Sequence, residues 1–288
     1  MQEKRCIFVT ILGLPNAGKS TLVNNIIGKK ITIVTPKVQT TRTHVRGITI
    51  YHNTQIVLVD SPGIFLAKTA FEKSLVRSAW SGVKENDVNL LLIDAASYFK
   101  RQDEIKAILS RLKYRCVLVI NKIDLIEKPK FKRVHEHLCL LHKFENIFTI
   151  SALKNDGISD LVHYLSEIAP TSPWLYPEDQ VTDSSERFLS AEIIRERLFL
   201  NLREELPYSL SVVTEKFEEK EDKSLLIKQV ILVLKDSHKK IIIGKNGSNI
   251  KKINIEARIE LEKIFECKIH LFLFIKVHTW TKHLSPHQ

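Results

Sequence analysis

The sequence predicts an α/β domain, a mostly parallel sheet with helices on both faces, followed by a smaller α+β domain. Three observations predict it. Continuously apolar, β-branched runs alternate with helical stretches through the first 168 residues, as in a parallel sheet covered on both faces. A proline-rich break follows, Ala169-Pro170-Thr171-Ser172-Pro173, prolonged by Pro177, which marks a connection. Beyond it the order becomes helix, strand, strand, two helices, strand. The predicted organisation is a domain over 1–168, a linker over 169–181 and a second domain over 182–288.

In the first part, strands are expected at 6–12, 48–51, 55–59, 88–94, 116–121 and 147–150, and helices at 19–27, 71–83, 102–113, 131–142 and 159–168. The triplet His52-Asn53-Thr54 reads as a hairpin, which makes one edge strand antiparallel. In the second part a helix from about 190 stops before Pro207. Strands follow at 209–217 and 226–234. The stretch 239–265 is helical on both sides of a glycine-flanked turn, and a strand at 268–277 closes the domain.

Composition excludes several classes. At 44% hydrophobic and 27% charged residues the chain is that of a globular protein. No apolar run reaches the roughly 18 residues of a membrane-spanning helix. The opening Met1-Gln2-Glu3-Lys4-Arg5 has neither a signal-peptide layout nor an acid-poor transit character, so a cytoplasmic protein is expected, with a monomer as its state. The cysteines at 6, 116, 139 and 267 form no CxxC pair. They suggest neither zinc nor a disulfide framework and read as small buried hydrophobes. The formal charge is +11, unevenly spread. From Lys223 onward, 13 Lys+Arg face 5 Asp+Glu, whereas 182–222 is acidic, with 6 against 11. A basic terminal region suits a polyanion, either nucleic acid or an anionic membrane surface. A solvated lysine-rich face would give the same count.

Gly13-Leu14-Pro15-Asn16-Ala17-Gly18-Lys19-Ser20 matches GxxxxGK[ST] and lies between an apolar strand and a helix. Its glycines let the backbone wrap a phosphate chain, with N–H groups and a helix N-terminus facing the negative charge. Lys19 is expected to reach the β- and γ-phosphates, Ser20 to ligate Mg²⁺, and Thr21 to continue the loop into the helix. Asp60-Ser61-Pro62-Gly63 follows the third strand. Its carboxylate would hold Mg²⁺ through water, and the Gly63 N–H would meet the γ-phosphate. Ile64 stands where some P-loop nucleoside triphosphate hydrolases carry a water-orienting glutamine, so slow intrinsic turnover is expected. Asn121-Lys122-Ile123-Asp124 ends the fifth strand. A carboxylate at Asp124 accepts from both N1–H and N2–H₂ of guanine and repels the acceptor N1 of adenine, so guanine is the expected base. Asn121 would tie this loop to the first, the Lys122 stem would lie along the base, and Ser151-Ala152-Leu153 would offer a backbone N–H to guanine O6. Between these motifs lies Gln39-Thr40-Thr41-Arg42, a candidate switch that orders only with the γ-phosphate present. Thr41 is favoured over Thr40 as the Mg²⁺ ligand. Lys19, Thr41 and Gly63 are thus the candidate catalytic residues, Ser20, Thr41 and Asp60 the metal set, and GTP or GDP with Mg²⁺ the expected cofactors.

In the second domain, Ile243-Gly244-Lys245-Asn246-Gly247 forms GxxG between two helical stretches. Lys239, Lys240, Lys245, Lys251 and Lys252 surround it. A glycine pair of this kind lets a nucleic-acid backbone approach closely, as in KH modules. A helical hairpin with a basic face is the plainer reading, and attraction to anionic lipid is a third.

These residues together resemble the Era family, bacterial GTPases with a C-terminal KH domain. The resemblance rests on GLPNAGKST at 13–21, QTTR at 39–42, DSPG at 60–63, NKID at 121–124 and SA at 151–152. More distinctive are RFLSAEIIRERL at 187–198, ELPYS at 205–209 and IIIGKNGSNIKKINIEAR at 241–258. It implies a P-loop GTPase domain and a type II KH domain. It also implies a factor that binds the 3′ end of small-subunit ribosomal RNA, assists small-subunit assembly and associates peripherally with the cytoplasmic membrane face. An apolar residue at the Ile64 position is usual in the family. Ser61 in place of a threonine, and the tail after Val277 with Trp280, depart from the pattern.

Three other functions fit parts of the sequence. An RNA-binding scaffold with a structural nucleotide would show no hydrolysis even with RNA. A P-loop kinase is opposed by Asp124 and by the lack of an acceptor pocket. A membrane-surface GTPase lacks a strongly amphipathic terminal helix as anchor.

Overall fold

The computed structural model describes residues 3–278 except 38–39, 66–69, 82–85, 113–114 and 203–205. The chain divides into two compact units, 1–183 and 184–288.

The first unit is built on a six-stranded sheet of order β2-β3-β1-β4-β5-β6. Its strands are β1 (Arg5–Gly13), β2 (Val45–Tyr51), β3 (Thr54–Asp60), β4 (Val88–Asp94), β5 (Cys116–Asn121) and β6 (Ile147–Thr149). All neighbours are parallel except β2 and β3, which pair antiparallel across His52 and Asn53 as the hairpin signal predicts. Strands β3 and β5 are buried along their whole length, which is why they read as unbroken apolar runs rather than alternating ones. Helices α1 (Lys19–Ile27) and α5 (Ile158–Ile168) cover one face; α2 (Ala70–Ser81), α3 (Gln102–Leu109) and α4 (Lys128–Leu141) cover the other. On that second face Ile105, Ile108, Val134 and Leu138 pack against Leu91, Ile93, Leu118 and Ile120.

Helix α4 begins three residues before the periodicity predicts, because Pro129 sits in its first turn, where a missing N–H costs nothing. Strand order reverses between β1 and its two neighbours. The loops after β1, β3, β5 and β6 therefore open at one end of the sheet, the usual place for a ligand in such folds.

The segment expected to be a linker, 169–181, is a strap on this first unit. Cys6 N–H donates to Pro170 O at 3.3 Å and Ile48 N–H to Val181 O at 2.9 Å. Gln55, fully buried, accepts from Leu175 N at 2.9 Å and Tyr176 N at 3.1 Å and donates to Tyr176 O at 2.8 Å. Lys4 lies over the Trp174 ring, and Arg46 pairs with Asp183 at 2.8 Å.

The second unit runs α6 (Glu186–Asn201), β7 (Leu210–Glu219), β8 (Leu225–Val233), α7 (Asp236–Ile243), α8 (Ser248–Phe265) and β9 (Ile269–Val277). Its sheet has order β7-β8-β9, the first pair antiparallel and the second parallel. Helix α6 starts at Glu186, earlier than expected, because Ser185 caps it through Phe188 N at 3.2 Å. Its Ile193, Ile194, Leu198 and Phe199 are fully buried, as are Ile253, Ala257 and Leu261 of α8 and Ile227 and Ile231 of β8. No helix among the described residues is long and apolar enough to cross a membrane.

Replacing Gln55 with Leu leaves two strap N–H groups without their acceptor. A loss of about 1–3 kcal/mol from the first unit is expected, with new proteolytic cleavage inside 169–183. Unchanged cleavage would show that other contacts hold the strap.

Candidate functional site

The loop after β1 turns with Asn16 and Gly18 at φ 64° and 101° and enters α1 directly. Helix α1 has no side-chain cap, so its first N–H groups are left for an anion. Lys19 is buried, and its ammonium donates to Gly13 O and Leu14 O, both at 3.2 Å. Burial pulls its pKa down to about 8; nearby Asp60 opposes that shift and Arg101 adds to it. An entering phosphate would add negative charge beside this lysine and favour its protonated form.

Asp60 ends β3 with no exposed surface. Its Oδ2 accepts from Ser20 Oγ at 2.7 Å, Thr32 Oγ1 at 3.1 Å and Thr41 Oγ1 at 3.5 Å. Its Oδ1 is buried with no hydrogen-bond partner. Burial raises the carboxyl pKa, against the pull of Lys19 and the three hydroxyls. An orphaned buried carboxylate oxygen beside the Ser20 and Thr41 hydroxyls, which lie 3.2 Å apart, is a hard-oxygen set that fits Mg²⁺. Ser20 and Thr41 would hold the ion directly and Asp60 through water, and the ion would neutralise phosphate charge. Thr40 lies elsewhere, bonded to Thr35 Oγ1 at 2.7 Å and Lys37 O at 2.8 Å. Arg42 is buried, and Gln39 lies outside the described residues. A solvent-open cleft runs between the loop and this segment, lined by Lys19, Ser20, Thr21, Thr35, Thr41 and Gly63 among others.

Ser61 anchors the next turn through Ile11 O at 2.6 Å, and Pro62 is buried beside it. Gly63 comes so close to Pro15 that an added Cβ would meet it at 2.8–3.0 Å. Ile64 donates its N–H to Gly13 O at 3.0 Å and buries its side chain with Leu12 and Leu14. That side chain is packed in the core and has no polar atom to offer a water.

At the base end, Asn121 donates to Ala17 O at 2.8 Å and accepts from Ala152 N at 2.9 Å. Lys122 donates to Asn16 O at 2.7 Å and to Asp94 at 2.9 Å, so its ammonium also ties the two loops together. Asp124 follows Ile123 on a short turn and accepts from Ser151 Oγ at 2.7 Å, which orients its carboxylate. The N–H groups of Ser151 and Ala152 are already engaged, by Asp156 O at 3.1 Å and by Asn121. Of the trio expected to face guanine O6, that leaves Leu153, whose side chain is exposed.

Four supporting residues carry no motif signal. Asn24 bonds the backbone of Ile31 and Thr32. Asn25 donates to Ala152 O. Thr32 reaches Asp60, and Arg101 donates to Pro15 O at 2.9 Å while Glu104 grips its guanidinium bidentately at 2.8 and 2.9 Å.

In the second unit, Gly244 and Gly247 bracket a tight turn between α7 and α8. Asn246 and Gly247 are left-handed, at φ 51° and 75°, and nothing lies within 4 Å of a Cβ built on Gly247. Lys240, Lys245, Lys251 and Lys252 are exposed around the turn, with Lys239 and Ile243 partly so. Lys252 pairs loosely with Glu256 at 3.7 Å. The result is an open, positively charged backbone turn that a phosphodiester chain can approach.

Asp124→Asn would replace an acceptor pair with one acceptor and one donor. Affinity for guanosine diphosphate is expected to fall about 100-fold. Xanthosine diphosphate, which has an acceptor at C2, should bind the variant better than the native chain. Titration with fluorescent analogues checks both, and an unchanged ratio would place base selection elsewhere.

A family model described as a 50S ribosome-binding GTPase matches residues 8–122, and one described as a KH domain matches residues 205–281. The GTPase Era of Ehrlichia canis (strain Jake) is 50% identical over 287 residues, covering 98% of this chain and 96% of the relative. The GTPase Era of Rickettsia canadensis (strain McKiel) is 48% identical over 282 residues, covering 96% and 94%. Among solved structures, Era in complex with MgGDPNP and nucleotides 1506–1542 of 16S ribosomal RNA matches with a TM-score of 0.89 at 36% identity, covering 96% of this chain and 94% of that one. A variant of Aquifex aeolicus Era bound to GDP and AlF₄⁻ matches with a TM-score of 0.88 at 36% identity, over the same shares of the two chains. Similar to these proteins over nearly its whole length, the chain belongs to the Era family of GTP-binding and GTP-hydrolysing switch proteins.

Proposed function

We propose that this chain binds GTP with Mg²⁺ and hydrolyses it slowly, while its KH unit grips single-stranded RNA at the 3′ end of small-subunit ribosomal RNA during subunit assembly. The observation that carries the reading is the whole-chain likeness to an Era captured with MgGDPNP and a segment of 16S ribosomal RNA. Both halves of that complex have a counterpart here, a phosphate loop tied to the base-reading Asp124 strand end and an open basic GxxG turn.

In the hydrolytic step a water oxygen attacks the γ-phosphorus, the bond to the β-phosphate oxygen breaks, and the water's proton leaves with the phosphate. Lys19 and the loop N–H groups stabilise the charge on the phosphate oxygens. No glutamine follows Gly63, and Ile64 is buried, so the water lacks a side chain to orient it from that position. A slow intrinsic rate, raised by a partner or by RNA, is the consequence. Thr41 already lies beside Ser20 and Asp60, and metal and γ-phosphate together would hold the 39–42 segment there, which makes that segment the sensor of nucleotide state.

The test is a titration of an oligonucleotide from the 3′ end of small-subunit ribosomal RNA into protein loaded with a non-hydrolysable GTP analogue, then with GDP. At least tenfold tighter binding in the first state is expected, about 1.4 kcal/mol of coupling. Gly247→Asp is the control. Aspartate tolerates the left-handed conformation there and meets no neighbour, so it should fold normally and repel the RNA backbone. Equal affinity in both states would remove the switch and keep RNA binding. Binding to anionic vesicles and not to RNA would reassign the basic unit to a membrane surface.

A further inference from the structure

Asp60 is held by three hydroxyls, and two of them belong to groups that themselves serve the metal. Ser20 and Thr41 are the proposed ligands, and Thr41 sits on the segment that responds to the γ-phosphate. Thr32 is different. It is buried, as are Ile31 and Ile33 on either side. Its backbone is clamped by one side chain of α1. Asn24 Oδ1 accepts from Ile31 N at 3.0 Å and Thr32 N at 3.1 Å, and Asn24 Nδ2 donates to Thr32 O at 2.8 Å. Asn24 lies four residues after Ser20 in the same helix, so both side chains fall on one face. One rigid helix therefore supplies the Ser20 hydroxyl directly and fixes the Thr32 hydroxyl through Asn24.

We propose that Thr32, clamped by Asn24, is a positioning residue that holds the Asp60 carboxylate for Mg²⁺ independently of the switch segment that carries Thr41. The Thr32 hydroxyl donates to Oδ2 at 3.1 Å, leaving the unpartnered Oδ1 for the ion's water shell. Without Thr32, the fully buried carboxylate keeps the Ser20 hydroxyl and only the longer contact to Thr41 at 3.5 Å, and it is freer to rotate. Outer-shell donors of this kind typically change metal affinity by about 10–100-fold. The inference rests on the reading of Asp60 as a Mg²⁺ residue, and the experiment separates the two.

Release of a fluorescent GDP analogue from the full chain is measured against Mg²⁺ concentration, from excess chelator upward. The native chain should release GDP more slowly as Mg²⁺ rises. Thr32→Val should need about 10–100-fold more Mg²⁺ for half of that effect, with release in chelator changed less than about twofold. Thr32→Ser, which keeps the hydroxyl, should behave as the native chain, and Asn24→Ala should shift the midpoint in the same direction as Thr32→Val. Thermal melting in chelator without nucleotide reports whether each variant folds, and Thr32→Ala replaces Thr32→Val if the valine does not fit. A valine or alanine midpoint within twofold of native overturns the proposal. So does faster release by the same factor with and without Mg²⁺, because that marks a general structural role. If release from the native chain is independent of Mg²⁺, the metal reading of Asp60 fails first and the proposal falls with it.

Discussion

The buried carboxylate of Asp60 is the constraint on which the nucleotide end of this fold depends. Removing a carboxylate from water costs several kcal/mol unless hydrogen bonds and opposite charge compensate it. Its position is fixed by β3, which is flanked by β1 and β2 and buried throughout. The compensating groups must therefore come to it. They do so from three parts of the chain: the start of α1 with Lys19 and Ser20, the turn at Thr32, and the switch segment at Thr41. The sheet sets where the charge lies, and the charge sets where these segments pack.

The phosphate loop obeys a second constraint of the same kind. A backbone that turns its N–H groups toward an anion must turn its carbonyls away, and those carbonyls need donors. Each one has them. Gly13 O takes Ile64 N and Lys19, Leu14 O takes Lys19 and Ala17 N, and Pro15 O takes Arg101. Asn16 O takes Lys122, and Ala17 O takes Asn121. The guanine-selecting strand end, the turn after Asp60 and the start of α3 are thus all tied to one five-residue loop. The loop is preorganised by its outer face. This accounts for the need for Asn121 and Lys122 beside the base-reading Asp124.

This division explains what could be read from the sequence. Strands and helices announce themselves by periodicity, and β4, β5 and α1 have the bounds that the apolar runs predict. The motif residues announce themselves because a phosphate loop tolerates few alternatives at those spacings. The starts of α4 and α6 come earlier than the periodicity predicts because Pro129 and Ser185 act as local start signals that carry no apolar periodicity. The strap at 169–181 reads as a linker from its prolines, since the glutamine that holds it lies 120 residues earlier. Asn24, Thr32 and Arg101 are ordinary polar residues in the sequence. Their roles exist only through contacts across the fold, such as the 86 residues between Arg101 and Pro15.

The phosphate loop and the GxxG turn use the same backbone freedom for different ends. Five successive carbonyls brace the phosphate loop from outside, and Gly63 packs against its Pro15. Around the GxxG turn the bonds are fewer: Gly244 N to Lys240 O at 2.9 Å, Gly247 N to Gly244 O at 3.2 Å and Asn249 to Ile241 O at 3.3 Å. Exposed lysines, rather than fixed donors, supply its attraction. A braced loop recognises one phosphate geometry, and most of its selectivity is structural. An open turn in a field of positive charge accepts many backbone paths, and its affinity depends on counterion release. A switch protein needs this asymmetry. The loop that holds the phosphates must resist deformation, while the site that engages a large, irregular RNA must conform to it.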